Sequence, residues 1–252
     1  MISVLSISLQ ASAIGYGQGK QLGADHRPIG AVDFQAQYGE KYAFALSSDA
    51  KRIILTFDQG YENGYTEKIL DTLKENNVNA IFFLTGDYAK KEPTLVKRMI
   101  AEGHTLCNHG MTHAKLLNLT VAGIENELMD LHYYVQDCYN YEMQYFRLPC
   151  GEYDSQSLDI AHLLGYHTIF WSFAYVDWMT QQQPNPSEAL QKLTDAAHDG
   201  AIYLLHSVSY RNASILGDLI DNLPVKVILF NESLLWRYGS SQEAFLILIC
   251  IC

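Results

Sequence analysis

Where its apolar runs end, this chain repeatedly places a side chain able to bind a metal or move a proton. Asp58 closes the run Ile53-Ile54-Leu55-Thr56-Phe57 and opens a Gly-rich turn. Further on come His109-Gly110-Met111-Thr112-His113, then Arg147-Leu148-Pro149-Cys150-Gly151, and finally Leu204-Leu205-His206. A carboxylate, a histidine pair, an arginine and a late histidine are the parts needed for metal-assisted hydrolysis. One group takes a proton from water, one returns a proton to the leaving group, and an ion polarises the bond.

Each part also has a bland reading. In His-x-x-x-His the two imidazoles point the same way on a helical turn or a tight loop and can reach one ion, but such pairs are more often ordinary surface or core residues. Two histidines leave zinc short of a protein ligand, and Asp58 and Gln59 are the nearest places to look for another. Asp58 stands where a core stops and a cleft begins; a turn-capping aspartate before Gly60 has an equal claim. The Arg147 guanidinium can grip a carboxylate bidentately, or be an ordinary surface arginine. His206 ends the strand-like Ile202-Tyr203-Leu204-Leu205, and an imidazole starts with the pKa a general acid needs. Asp177-Trp178 offers a carboxylate to orient that histidine and an indole to wall a pocket.

These residues need a scaffold that brings strand ends together. From residue 51 onward buried-strand runs alternate with amphipathic helices: strands over 52–57, 80–84, 105–108, 144–147, 167–171 and 201–205, with helices between them, one opened by Pro93 and one by Pro186. Thr66 is the expected cap of the first. The alternation with a single core predicts the α/β class: a distorted, TIM-like (β/α) barrel of about seven strands. In such barrels the chemistry sits at the C-terminal strand ends, where all the motifs fall. Residues 49–224 are read as the catalytic barrel, and the Gly-rich, polar 14–48 as an extended N-terminal wrap.

Composition narrows the function. A formal charge of −11 over 252 residues gives no basic face for phosphates, which argues against nucleic acid as a partner. No run approaches the ~18 apolar residues of a membrane span. Seventeen tyrosines and three tryptophans suit either a barrel interior or a sugar-binding groove. Five cysteines at irregular spacing imply no disulfide framework. No protein partner is implied.

At this point the motifs converge. The chain resembles the polysaccharide deacetylase (NodB-homology) family, carbohydrate esterase family 4. The stretches Phe57–Thr66, Phe146–Tyr153 and Trp171–Trp178 are similar to those of its δ-lactam-forming peptidoglycan members. The resemblance implies that His109, His113 and Gln59 hold a divalent metal, zinc being the expected ion. Asp58 would be the general base, held by Arg147, and His206 the general acid, tuned by Asp177. Trp178, Leu204 and Tyr153 would line the substrate pocket. Gln59 stands where the wider family has aspartate, and a neutral amide implies weaker metal binding. The substrate so implied is peptidoglycan or a related N-acetylated polysaccharide, with N-acetylmuramic acid expected ahead of N-acetylglucosamine. A carbohydrate-binding barrel without activity is the rival, disfavoured because binding alone needs neither an acid nor a base.

Both termini carry their own expectations. Residues 1–13 end in Ala-x-Ala after a short apolar stretch and resemble the back half of a secretory signal, which predicts export. After residue 224 the alternation fails. Relatives finish on a Lys-Gly-Tyr-Thr-Phe-like strand where this chain has Lys226-Val227-Ile228-Leu229-Phe230. Codons for this stretch can be written so that one added G after the lysine codon gives the former, so residues 227–252 read as the product of a frameshift.

Overall fold

The structure is a computed structural model, and it describes residues 14–48 and 52–223. The calls on the signal-like segment and the frameshifted tail lie outside the described residues. In chain order the strands are β1 (Ile14–Gly15), β2 (Ala43–Phe44), β3 (Ile54–Gln59), β4 (Ile81–Leu84), β5 (Thr105–Asn108), β6 (Tyr145–Phe146), β7 (Glu152–Tyr153), β8 (His167–Ile169), β9 (Phe173–Ala174) and β10 (Ile202–His206). The helices are α1 (Ile29–Tyr38), α2 (Thr66–Glu75), α3 (Gly86–Lys91), α4 (Pro93–Ala101), α5 (Val121–Tyr139), α6 (Ser155–Leu163), α7 (Pro186–Asp195) and α8 (Tyr210–Asn222).

Eight parallel strands form one curled sheet in the order β2-β8-β6-β5-β4-β3-β10-β9, one more than the sequence suggested. Phe170, Trp171 and Ser172 alone separate β8 from β9, so one broken strand serves both sides of the curl. Phe170 N–H bonds the Phe44 carbonyl at 2.7 Å, and Ser172 N–H the Ile202 carbonyl at 2.9 Å. This continuity makes the sheet a distorted barrel.

Alternation along the strands sorts the core. Leu55, Phe57, Phe82, Leu84, Tyr203 and Leu205 point outward and pack with Ile69, Leu70 and Leu73 of α2, Val96 and Met99 of α4, and Leu216 and Leu219 of α8. Ile81, Phe83, Cys107, Tyr145, Ile169 and Ile202 point inward and plug the barrel. Thr56 and Asp58 share the inward parity above that plug.

Two local readings are corrected. The N-terminal segment is more than a wrap: α1 buries Ala31, Phe34 and Tyr38, and Ala43–Phe44 joins the sheet as β2. Helix α2 is capped by Glu62, whose Oε1 accepts the N–H groups of Gly64 (2.6 Å), Tyr65 (3.0 Å) and Thr66 (3.3 Å). Thr66 is itself the first helical residue, and its hydroxyl donates to Glu62 Oε2. A carboxylate before a helix satisfies orphan N–H groups and favours the positive end of the helix dipole.

Candidate active site

The β3–β10 pairing sets Asp58 opposite His206 in register. Neighbouring parallel strands at matched positions aim their side chains the same way. Both residues therefore line one cavity of about 760 Å³, together with His109, His113, Trp178 and Leu204.

Asp58 is anchored by Arg147, whose side chain is 1% exposed. Arg147 Nη1 donates to Asp58 Oδ1 at 2.7 Å and to Thr56 Oγ1 at 2.8 Å; Nε and Nη2 donate to the Ile169 and Phe170 carbonyls at 3.0 and 3.1 Å. The bidentate grip anticipated from the sequence is thus a single-point one, because the other donors are engaged by backbone. Phe83 lies 4.0 Å beneath the guanidinium and fixes its plane. Burial pushes the Asp58 carboxyl up, but the attraction of Arg147, then of His109 and His206, outweighs it and leaves the carboxyl below its ordinary value.

Asp177 does the same service for His206. It is fully buried, and its Oδ1 meets His206 Nδ1 at 2.7 Å. Its Oδ2 accepts from the His206 backbone N–H at 2.8 Å and from Asn212 Nδ2 at 2.6 Å. Burial alone disfavours the imidazolium; the Asp177 charge and hydrogen bond overcome that and raise the His206 pKa above its ordinary value. The Trp178 indole stands 5.4 Å from the imidazole, 49% exposed at the cavity mouth.

The histidine pair sits on a loop, not a helix. His109 Nδ1 lies 2.9 Å from the Arg147 carbonyl, and burial brings the ring's pKa down to about 4. A neutral ring facing a carbonyl carries its proton on Nδ1, so Nε2 presents a lone pair, 3.5 Å from Asp58 Oδ2. The His113 ring is 4.8 Å from that of His109, and burial lowers its pKa too. Glu127 of α5 clamps the loop, its Oε1 accepting the N–H groups of Thr112 (2.7 Å) and Ala114 (3.0 Å). Gly110, at φ +85°, lets the backbone pass; a Cβ there would stand 2.8 Å from Glu127 Oε1.

Four predicted site residues lie outside the cavity lining: Arg147 and Asp177, which hold Asp58 and His206 from behind, and Gln59 and Tyr153, which hold neither. Gln59 has the outward parity of Leu55 and Phe57; its Nε2 donates to Ser207 Oγ, and its buried Oε1 has no hydrogen-bond partner. The Tyr153 ring packs in the core, 5.3 Å from Phe34 and 5.4 Å from Phe170, because β7 pairs with β1. Cys107 is buried, its thiol pushed well up by that burial and inert, whereas Cys150 is exposed at the cavity rim.

The sequence model of the family described as "Polysaccharide deacetylase" matches residues 46–169. The chain is 42% identical over 202 residues to the peptidoglycan-N-acetylmuramic acid deacetylase PdaA of Bacillus subtilis, covering 79% of this chain and 77% of that protein. This chain belongs to the polysaccharide deacetylase family. The solved structure of B. subtilis PdaA, a family 4 carbohydrate esterase, superposes with a TM-score of 0.78 at 39% identity, covering 83% of this chain and 90% of that one. A peptidoglycan-N-acetylglucosamine deacetylase of Bacillus cereus is 36% identical over 141 residues, 55% of this chain and 51% of its own.

The deacetylase also relies on residues the motifs do not display. Glu127 and Asn212 fix the histidine loop and Asp177, respectively, from helices remote in sequence. Each carries one legible sign, a polar residue set among the buried positions of its helix: Glu127 among Ile124, Leu128 and Leu131, Asn212 among Ile215, Leu216 and Leu219. Trp171 and Leu148 complete the cavity wall.

The donors of the deacetylase suit a divalent ion in kind. The lone pair of His109 Nε2 faces a carboxylate oxygen with no hydrogen between them, an arrangement that a cation relieves. Both imidazoles are held neutral, and the Nδ1–carbonyl contact of His109 is the outer support a ligating histidine takes. Among the described residues, no group of three His, Cys, Asp or Glu converges to hold a metal.

Proposed function

We propose that this polysaccharide deacetylase removes N-acetyl groups from peptidoglycan outside the cell, in the wall or spore envelope. Its target is the N-acetylmuramic acid residue, on the route to muramic δ-lactam. The observation that carries the catalytic reading is the side-by-side placement of Asp58 and His206, each with its own buried, oppositely charged partner. The similarity to PdaA supports the choice of sugar. Among the described residues no helix is long and apolar enough to cross a membrane.

In this reading Asp58 accepts a proton from the attacking water while Arg147 keeps the carboxylate ionised and aimed. The water oxygen bonds to the acetyl carbon. His206, charged at the start because Asp177 favours the imidazolium, gives its proton to the amide nitrogen as the C–N bond breaks. The products are acetate and a free amine. Leu204 and Trp178 shelter the acetyl methyl and exclude bulk water. A divalent ion, zinc being the expected one, would be held by His109 and His113; it supplies polarisation of the acetyl carbonyl and a more acidic water.

Acetate release from peptide-stripped peptidoglycan, followed with and without chelator, tests the proposal. Release from that substrate, lost on chelation, is expected. Release only from chitin oligomers would transfer the assignment to N-acetylglucosamine, and no release from either would sink it. Zinc titration by calorimetry separates the ion from the chemistry: the wild type should bind, and His109→Ala should weaken binding by about tenfold or more. Unchanged affinity would remove His109 from the ligand set.

Asp177→Asn carries a pH signature. The folded pKa of His206 is raised, so the acid form persists above pH 6.5 and is lost as pH rises further. Without the Asp177 charge, burial dominates and the pKa falls. The alkaline limb of kcat should therefore move to lower pH, so that the variant loses more activity at pH 8 than at pH 6. An unmoved limb would separate Asp177 from the acid.

A further inference from the structure

Glu127 clamps the histidine loop from residue 112 onward, and the turn just after His109 has a support of its own. Asn108, fully buried at the end of β5, accepts the Gly110 N–H on its Oδ1 at 2.8 Å. Its Nδ2 donates to the Leu128 carbonyl of α5 at 2.7 Å and to the Tyr166 hydroxyl at 2.9 Å. The Asn108 carbonyl accepts the Arg147 N–H at 3.0 Å, and the Arg147 carbonyl is the one that faces His109 Nδ1. Asn108 thus braces His109 from both sides of its ring.

Counting donors and acceptors gives these bonds a direction. Turning the Asn108 amide over would set its oxygen against the Leu128 carbonyl and its NH2 against the Gly110 N–H, so its orientation is fixed. Tyr166, 1% exposed, therefore receives a hydrogen from Asn108 and must place its own elsewhere. His132 of α5 supplies the acceptor: its Nδ1 lies 2.9 Å from the Tyr166 hydroxyl, the two rings crossing at 86°. The imidazole then carries its hydrogen on Nε2. A buried hydroxyl hydrogen without an acceptor is costly, so without Nδ1 it would compete with the Asn108 amide for the same space. Asn108, Tyr166 and His132 all stand outside the lining of the catalytic cavity.

We propose that Tyr166 and His132 are positioning residues for His109: through Asn108 they hold the Gly110 turn, and with it the direction in which His109 presents Nε2. This rests on the reading of His109 as a metal ligand. A ligand held in place beforehand binds an ion without first being ordered.

Amide hydrogen exchange of the metal-free protein, with zinc calorimetry beside it, tests this on the wild type, His132→Leu, His132→Asn and Tyr166→Phe. In His132→Leu and Tyr166→Phe the Gly110 N–H should exchange about tenfold faster than in the wild type, while that of Phe83 in β4 keeps its rate. Zinc binding should weaken by about tenfold in both. His132→Asn should keep the wild-type values, because its side-chain oxygen stands as many bonds from Cα as Nδ1 does and accepts the same hydrogen. An unchanged Gly110 rate, an equal rise at Phe83, a zinc affinity that ignores the Gly110 rate, or an asparagine variant as impaired as the leucine one would overturn the proposal. A wild type that binds no zinc counts against the ion site; the Gly110 rates then sustain the tie if they rise and overturn it if they do not.

Discussion

Asp58→Asn is expected to reduce kcat/KM for acetate release by about a thousandfold, within the range of a lost general base. The amide retains an oxygen to accept from Arg147 Nη1, which now bonds Asp58 Oδ1 at 2.7 Å, so the side chain keeps its place while losing its charge. The loss should fall on kcat more than on KM, because the carboxylate acts on the water proton and not on the sugar. Steady-state kinetics with a folded control by circular dichroism checks this. A variant within tenfold of the wild type would mean that another group takes the proton.

The second large effect is on stability. Arg147→Met removes four hydrogen bonds from a guanidinium that is 1% exposed and takes from the buried Asp58 its strongest counter-charge. Breaking one partner of a buried pair costs about 3–5 kcal/mol. The pH dependence has a definite sign. In the wild type the Asp58 pKa is depressed below 3.8, so its contribution is present above that pH and lost as pH falls through the folded value. In the variant the Arg147 attraction is gone and only that of His109 and His206 opposes burial, so the pKa rises and protonation at low pH relieves the buried charge. The gap between the two proteins, measured by urea unfolding, should therefore narrow as pH falls from 7 towards 4. A constant gap would mean that the cost is packing and not charge.

Much of the fold was legible because continuous apolar runs and Pro-opened helices carry their own signals. The strands that became β3, β4, β5 and β10 stand within two residues of their expected bounds, and Pro93 and Pro186 open their helices as expected. Helix α1 was not legible. Its apolar positions Ala31, Phe34 and Tyr38 are few, and they gain meaning only against Tyr16, Tyr153 and Phe170, which the fold brings from elsewhere. That same packing is why Tyr153 belongs to the core, although its motif suggested the pocket.

The site shows the same division. Asp58, His109, His113, His206, Trp178 and Leu204 share one cavity, as strand-end logic anticipated. Gln59 follows Asp58 by one position, and a one-residue step along a strand reverses the face. Glu127 and Asn212 show in the sequence only as polar residues among the buried positions of their helices, and no spacing rule connects them to Thr112, Ala114 and Asp177.

Mass spectrometry of the sugars after reaction tests the central claim most directly. Peptide-stripped peptidoglycan is digested to disaccharides after incubation with the wild type and with Asp58→Asn. The account predicts a free amine on muramic acid, formed by the wild type and nearly absent with the variant. A free amine on glucosamine alone, or equal product from both proteins, would contradict it.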